Sequence, residues 1–170
     1  MRTLRTKNVV LIGMPGAGKS TVGVVLAKRL GMSFIDSDLL IQEQEGKKLH
    51  EVIEEHGLDG FVEIEGRINT ALAPKCAVIA TGGSAVYCRE AMEHFNSIAT
   101  ICYLQLTYEG IEHRLGDLTE RGVVLRAGQT LKELYEERIL LYEQYANLTV
   151  ACENKNIREI VTELAKRLKN

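Results

Sequence analysis

Short, uninterrupted apolar runs alternate along the chain with longer segments whose apolar residues recur every three or four positions. The run Val9-Val10-Leu11-Ile12 predicts a strand. Residues 19–30 then place Val22, Val25, Leu26 and Leu30 at helical spacing, and Gly31 ends that helix. The same pattern predicts strands at 33–35, 77–80, 100–104 and 148–150. Helices are expected at 39–44, 49–55, 61–72, 88–95, 108–115, 131–145 and 157–168. Strands that are apolar throughout, each separated by helix, belong to a parallel sheet covered on both faces. Right-handed crossovers follow, and the fold class is α/β. Two segments break the alternation. Residues 41–72 carry helices with no strand between them, and residues 116–129 are weakly apolar and bear glycine and arginine. Long connections inside a compact domain commonly serve as lids or binding loops.

The length of 170 residues fits a single domain, 1–170, that needs no disulfide or metal to hold its core. Lys and Arg total 21 against 23 Asp and Glu, a formal net charge of -2. That balance supplies no general field for nucleic acid or an anionic membrane, so an anion must be held by a local site. Trp is absent and Phe scarce, which leaves no base-stacking platform. No apolar run approaches the roughly 20 residues of a membrane span, and Cys76, Cys88, Cys102 and Cys152 are scattered without a C-x-x-C pair. The expectation is a cytoplasmic monomer acting on a small molecule, with neither nucleic acid nor membrane as partner.

One motif carries chemistry on its own. Gly13-Met14-Pro15-Gly16-Ala17-Gly18-Lys19-Ser20-Thr21 satisfies G-x-x-x-x-G-K-S/T between an expected strand and an expected helix. Glycines let the backbone fold around phosphate with its N–H groups turned inward, and the helix dipole points its positive end at the same anion. Lys19 is placed to reach the β- and γ-phosphates of ATP, and Ser20 to ligate Mg²⁺. A second feature, Asp36-Ser37-Asp38, closes the second strand. In open α/β sheets the carboxyl ends of the strands face the ligand crevice, so both carboxylates should border the phosphate loop. Phosphoryl transfer needs a metal held and a hydroxyl positioned, and a pair of carboxylates could divide those roles. Ser37 or Asp38 is equally a candidate helix cap.

With these segments, Thr81-Gly82-Gly83-Ser84-Ala85-Val86 and Glu137-Arg138-Ile139-Leu140-Leu141-Tyr142 in order, the chain resembles the shikimate kinases over essentially its whole length. The resemblance implies a three-layer P-loop kinase fold with a five-stranded parallel sheet. It places a helical substrate-binding insert at about 41–72 and a lid at about 116–129. It implies phosphorylation of shikimate by ATP, with Mg²⁺, in aromatic amino-acid biosynthesis. By the same resemblance Asp36 assists Mg²⁺ binding, Asp38 contacts the acceptor hydroxyl as base, and Lys19 and Arg121 (in the lid) act on the transferring phosphoryl group. Gly82, Gly83 and Ser84 line the acceptor together with Glu65, Arg138 binds its carboxylate, and Arg114 lies against adenine.

The chain departs from the family's pattern at several places. The Phe-Arg pair of the insert, whose arginine grips the carboxylate, is Phe61-Val62 here; the third glycine of the glycine run is Ser84; and the lid reads Arg121-Gly122-Val123-Val124 rather than Arg-Pro-Leu-Leu. Losing a buried Arg–carboxylate contact costs roughly 2–5 kcal/mol. Arg67 and Arg121 are the nearby candidates to replace it. A paralogue acting on another small hydroxy compound, a nucleoside or nucleotide kinase, and an ATP-binding regulatory module are the alternatives. The insert holds Arg67 as its single arginine, too few for a second phosphate-bearing ligand.

Overall fold

A computed structural model describes residues 7–116, 123 and 125–169. Five strands, β1 (Asn8–Ile12), β2 (Ser33–Asp36), β3 (Ala77–Ala80), β4 (Ala99–Gln105) and β5 (Leu148–Ala151), form one sheet in the order β2-β3-β1-β4-β5. Every neighbouring pair is parallel, with Val9 opposite both Val78 and Thr100. Every residue of β1 and β3 is buried, as strands covered on both faces require. The expected class is therefore the observed one.

Seven α-helices lie among the described residues: α1 (Lys19–Leu30), α2 (Ser37–Glu45), α3 (Leu49–Ala71), α4 (Arg89–Ile98), α5 (Tyr108–Leu115), α6 (Leu131–Tyr145) and α7 (Ile157–Arg167). Local chemistry fixes their ends. Gly31 closes α1 in the left-handed region at φ 68°. Capping boxes open α6, through Thr130 and Glu133, and α7, through Asn156 and Glu159. A single 3₁₀ turn spans Ala85–Tyr87, where the sequence pattern offers no periodicity to find it. No described helix is long and apolar enough to cross a membrane.

The insert is where the fold adds most to the sequence reading. The two helices expected at 49–55 and 61–72 are the two arms of α3, which meet in a kink at Gly57, whose φ of 71° and ψ of 176° no helix contains. Together α2 and α3 build their own apolar cluster from Ile41, Val52, Phe61 and Ile68, separate from the main core around the sheet. Of the expected lid, residues 117–122 and 124, Arg121 included, lie outside the described residues.

Candidate active site

The turn from β1 into α1 folds the glycine-rich segment around a cleft of about 330 Å³. Pro15, Gly16, Gly18, Lys19, Ser20 and Thr21 line its floor. Gly13, Gly16 and Gly18 all take positive φ, at 149°, 81° and 90°, which explains why side chains are missing there. A Cβ on Gly13 would lie 2.9 Å from the Leu104 carbonyl, so both the turn and the neighbouring strand exclude one. Ala17 is buried under the loop and donates its N–H to the Met14 carbonyl. Arg114, exposed on α5, donates to the Gly16 carbonyl at 3.4 Å and so borders the loop from the far side.

Lys19 is buried, and its ammonium donates to the carbonyls of Gly13 at 2.7 Å and Met14 at 2.8 Å. Burial lowers its pKa from 10.5 to about 8, against the attraction of Asp38, Glu65 and Asp36. The lysine is thus curled onto its own loop, in a place where an anion would complete its hydrogen bonds. Next to it, Ser20 donates to Oδ2 of Asp36 at 2.7 Å, which brings together a hydroxyl from the first turn of α1 and a carboxylate from the end of β2.

Asp36 also corrects the capping expectation. The helix cap is neither Ser37 nor Asp38: Oδ1 of Asp36 accepts from the backbone N–H of Asp38 at 3.0 Å and of Leu39 at 3.3 Å. One carboxylate therefore starts α2 and holds Ser20. Asp38 is left free to face the cleft, which it lines. Its Oδ1 is buried without a partner, and burial followed by the charge of Asp36 raises its pKa.

The loop after β3 closes the opposite wall with Thr81, Gly82, Gly83 and Ser84. A Cβ on Gly82 would lie 2.6 Å from Oε2 of Glu65 and 2.8 Å from Oδ1 of Asp38; one on Gly83 would lie 2.6 Å from Pro15 and 2.9 Å from Arg138. These two glycines are spacers that let carboxylates and guanidinium approach the cleft past the backbone. Glu65 is fully buried on α3 and accepts a hydrogen bond from Ser84 at 2.7 Å. Arg138 on α6 is buried too. It donates from Nε to the Tyr87 hydroxyl at 3.2 Å and stacks over that ring at 5.3 Å.

Several residues that build the site were given no role by the sequence reading. Tyr142, one helical turn after Arg138, is fully buried, donates to the Gly83 carbonyl at 2.6 Å and stacks on Tyr103. The i, i+4 spacing of Arg138 and Tyr142 is the signal that finds it. Leu49, Ile53, Leu58 and Phe61 give the cleft an apolar side, and Val123 borders it. They fall within the expected insert and lid, but their pattern is that of ordinary core, so nothing in their spacing singled them out as lining.

One expectation about cations is corrected. Arg67 points away from the cleft and pairs with Glu45 at 3.2 Å, its side chain 68% exposed, because α2 packs alongside α3. Arg126 is exposed and off the lining of this cleft. Val62 is half-buried and also off the lining. Among the described residues, Arg138 is therefore the one arginine of the cleft.

This geometry meets known proteins at full length. A family model described as shikimate kinase matches residues 15–169. The shikimate kinase of Persephonella marina is 34% identical over 164 residues, covering 96% of this chain and 99% of that protein. The chain belongs to the shikimate kinase family. Among solved structures, the shikimate kinase from Acinetobacter baumannii in complex with shikimate superposes with a TM-score of 0.87 at 28% identity, over 96% of this chain and 93% of that one. The shikimate kinase of Aquifex aeolicus gives a TM-score of 0.84 at 31% identity, over 95% and 96%. Membership makes the chain a kinase, an ATP-using phosphotransferase with an alcohol acceptor.

Proposed function

We propose that this chain transfers the γ-phosphoryl group of ATP to a hydroxyl of shikimate. One observation carries the reading: the phosphate loop, the Ser20–Asp36 contact, the free Asp38 carboxylate and Arg138 border the same cleft. Lys19 neutralises the β- and γ-phosphates held by the loop N–H groups, and Arg114 lies on the adenine side. Ser20 and Asp36 offer the hard oxygen donors that suit Mg²⁺, which when bound would offset phosphate charge. Asp38 takes the proton of the attacking hydroxyl as its oxygen bonds to phosphorus and the bond to the ADP oxygen breaks. Its raised pKa makes it a better base than an exposed aspartate. Gly82 and Gly83 let the acceptor approach the backbone, and Arg138 holds its carboxylate. Arg121, beyond the described residues, is proposed to reach the transferring group from the lid.

A specific observation keeps a second reading in view, a paralogue for another small hydroxy compound. The cleft has one guanidinium among its described residues where a carboxylate-bearing acceptor would be gripped by two, and Arg67 is committed to Glu45. A single grip weakens binding by a few kcal/mol. The shikimate KM should then exceed the span of about 1 μM–1 mM common for natural substrates, and Val62→Arg should improve kcat/KM. Steady-state ADP release with shikimate and a panel of other hydroxy acids tests both readings. Turnover of another acid with none of shikimate would overturn the first. A shikimate KM in the tens of micromolar, unimproved by Val62→Arg, would dispose of the second.

A further inference from the structure

The cleft wall after β3 is built on two successive glycines, Gly82 and Gly83, neither of which carries a side chain to anchor it. Its carbonyls are nevertheless engaged one after another. Gly82 accepts from the Ala85 N–H at 3.2 Å and Ser84 from the Tyr87 N–H at 3.0 Å, both inside the turn that follows. The carbonyl between them, that of Gly83, is held from 59 residues away by the Tyr142 hydroxyl at 2.6 Å. A carbonyl has no proton to give, so the hydroxyl is the donor. The Arg138 guanidinium, one helical turn back on α6, faces the same hydroxyl. Its Nη1 lies 2.9 Å from where a Cβ on Gly83 would stand.

Packing does not account for that hydroxyl. The Tyr142 ring stacks on Tyr103 with 5.1 Å between centroids, a contact that phenylalanine would make as well. A buried hydroxyl is unfavourable unless hydrogen-bonded, and its partner here is the carbonyl that the local turn leaves unserved. Tyr142 is fully buried and off the cleft lining, whereas Gly83 and Ser84 line the cleft. The Gly83 carbonyl is therefore drawn to the buried side. The peptide is trans, so the N–H of Ser84 points the opposite way, toward the cleft.

We infer that Tyr142 is a positioning residue for the acceptor, its hydroxyl locking the Gly83–Ser84 peptide with the carbonyl turned inward and the N–H presented beside the Arg138 guanidinium. This rests on the proposed function, which brings an acceptor carboxylate against that part of the wall. Without the hydroxyl, the glycine peptide is free to turn. A carbonyl oxygen rotated into the cleft would then meet the carboxylate as a second negative pole. The device serves the acceptor side, because the phosphate loop takes its shape from the positive φ of Gly13, Gly16 and Gly18.

The test uses shikimate as the probe and Tyr142→Phe as the variant, which keeps the ring and its stack on Tyr103 and deletes the hydroxyl. At saturating ATP, the shikimate KM should rise about 5- to 150-fold, the loss expected for one buried hydrogen bond. The ATP Kd, measured without acceptor, should stay within about twofold of the wild type. Tyr135→Phe is the matched control, since the Tyr135 hydroxyl of the same helix donates to the Leu106 carbonyl at 2.8 Å, away from the cleft lining. It should lower Tm comparably and leave the shikimate KM within about twofold. A second readout needs no acceptor. A hydrogen bond at a carbonyl polarises its whole peptide, so in an assigned nitrogen–proton spectrum Tyr142→Phe should move the Ser84 amide and leave that of Gly18 in place. An unchanged shikimate KM in Tyr142→Phe, an equal rise in Tyr135→Phe, an equal loss of ATP affinity, or an unmoved Ser84 amide would overturn the inference. Absence of any shikimate turnover by the wild-type chain would overturn the substrate reading instead. The KM comparison then passes to whichever hydroxy acid is turned over, and the Ser84 amide still decides for or against the brace.

Discussion

Replacing Lys19 by methionine keeps the length of a buried side chain and removes its charge. The wild-type ammonium is held at a pKa of about 8 against 10.5 in the unfolded chain, chiefly by burial. At about 1.4 kcal/mol per unit, burying that charge costs about 3 kcal/mol at neutral pH. The sign follows from linkage. Below about pH 8 the lysine is protonated in both states and the full cost applies. As pH rises toward 10.5 the folded chain releases the proton first, the unfolded state binds more protons, and stability increases. Between pH 7 and pH 9.5 the gain is about 2 kcal/mol, which for a chain of this size corresponds to about 4–8 °C in Tm. The Tm of the wild-type chain relative to Lys19→Met should therefore improve by that amount between those two pH values. Groups that titrate in both proteins cancel in the difference. In the same preparations, ADP release by Lys19→Met should fall by at least the roughly 10²–10³-fold typical of losing an electrostatic stabiliser. A Tm gap that does not move with pH would show that the lysine is not buried as a cation. Turnover above about a tenth of the wild-type rate would end its role at the phosphates.

Asp38→Asn should depress turnover by roughly 10²–10⁴ while leaving ATP affinity nearly unchanged; a large loss of ATP binding would place Asp38 on the metal side and Asp36 on the acceptor. Gly83→Ala puts a methyl 2.6 Å from the Pro15 ring and 2.9 Å from Arg138. Relieving that overlap costs about 1–3 kcal/mol, so kcat/KM for the acceptor should drop by about 5- to 150-fold, and an unchanged value would show that Arg138 and the loop yield freely.

Much of the fold was legible because its signals are local. Continuous apolar runs placed all five strands, and helix α1 was bounded by the phosphate loop and Gly31. The phosphate loop was legible for the same reason: its glycines answer to backbone geometry within nine residues. What depends on packing between distant segments was not. Spacing left the cap of α2 open between Ser37 and Asp38, while the folded chain uses Asp36, because the strand end turns that side chain back onto two N–H groups. Arg67 looked available until α2 brought Glu45 beside it. Tyr87 holds Arg138 from 51 residues away, a separation that no periodicity reports. The partnership of Glu65 with Ser84 joins a helix to a loop after β3, and neither residue announces the other in the sequence.

The separateness of the insert's apolar cluster bears on how such a chain can change its chemistry. Ile41, Val52, Phe61 and Ile68 share no member with the core that surrounds the sheet, and Gly46 and Gly57, both at positive φ, punctuate the insert's two helices. Substitutions among these four residues draw on that small cluster's stability, and their effects add to those in the core around β1, with which they share no member. The wall facing the acceptor is thus free to drift in sequence while the phosphate-handling loop stays fixed. Val62, half-buried on α3, belongs to this insert and not to the core around the sheet.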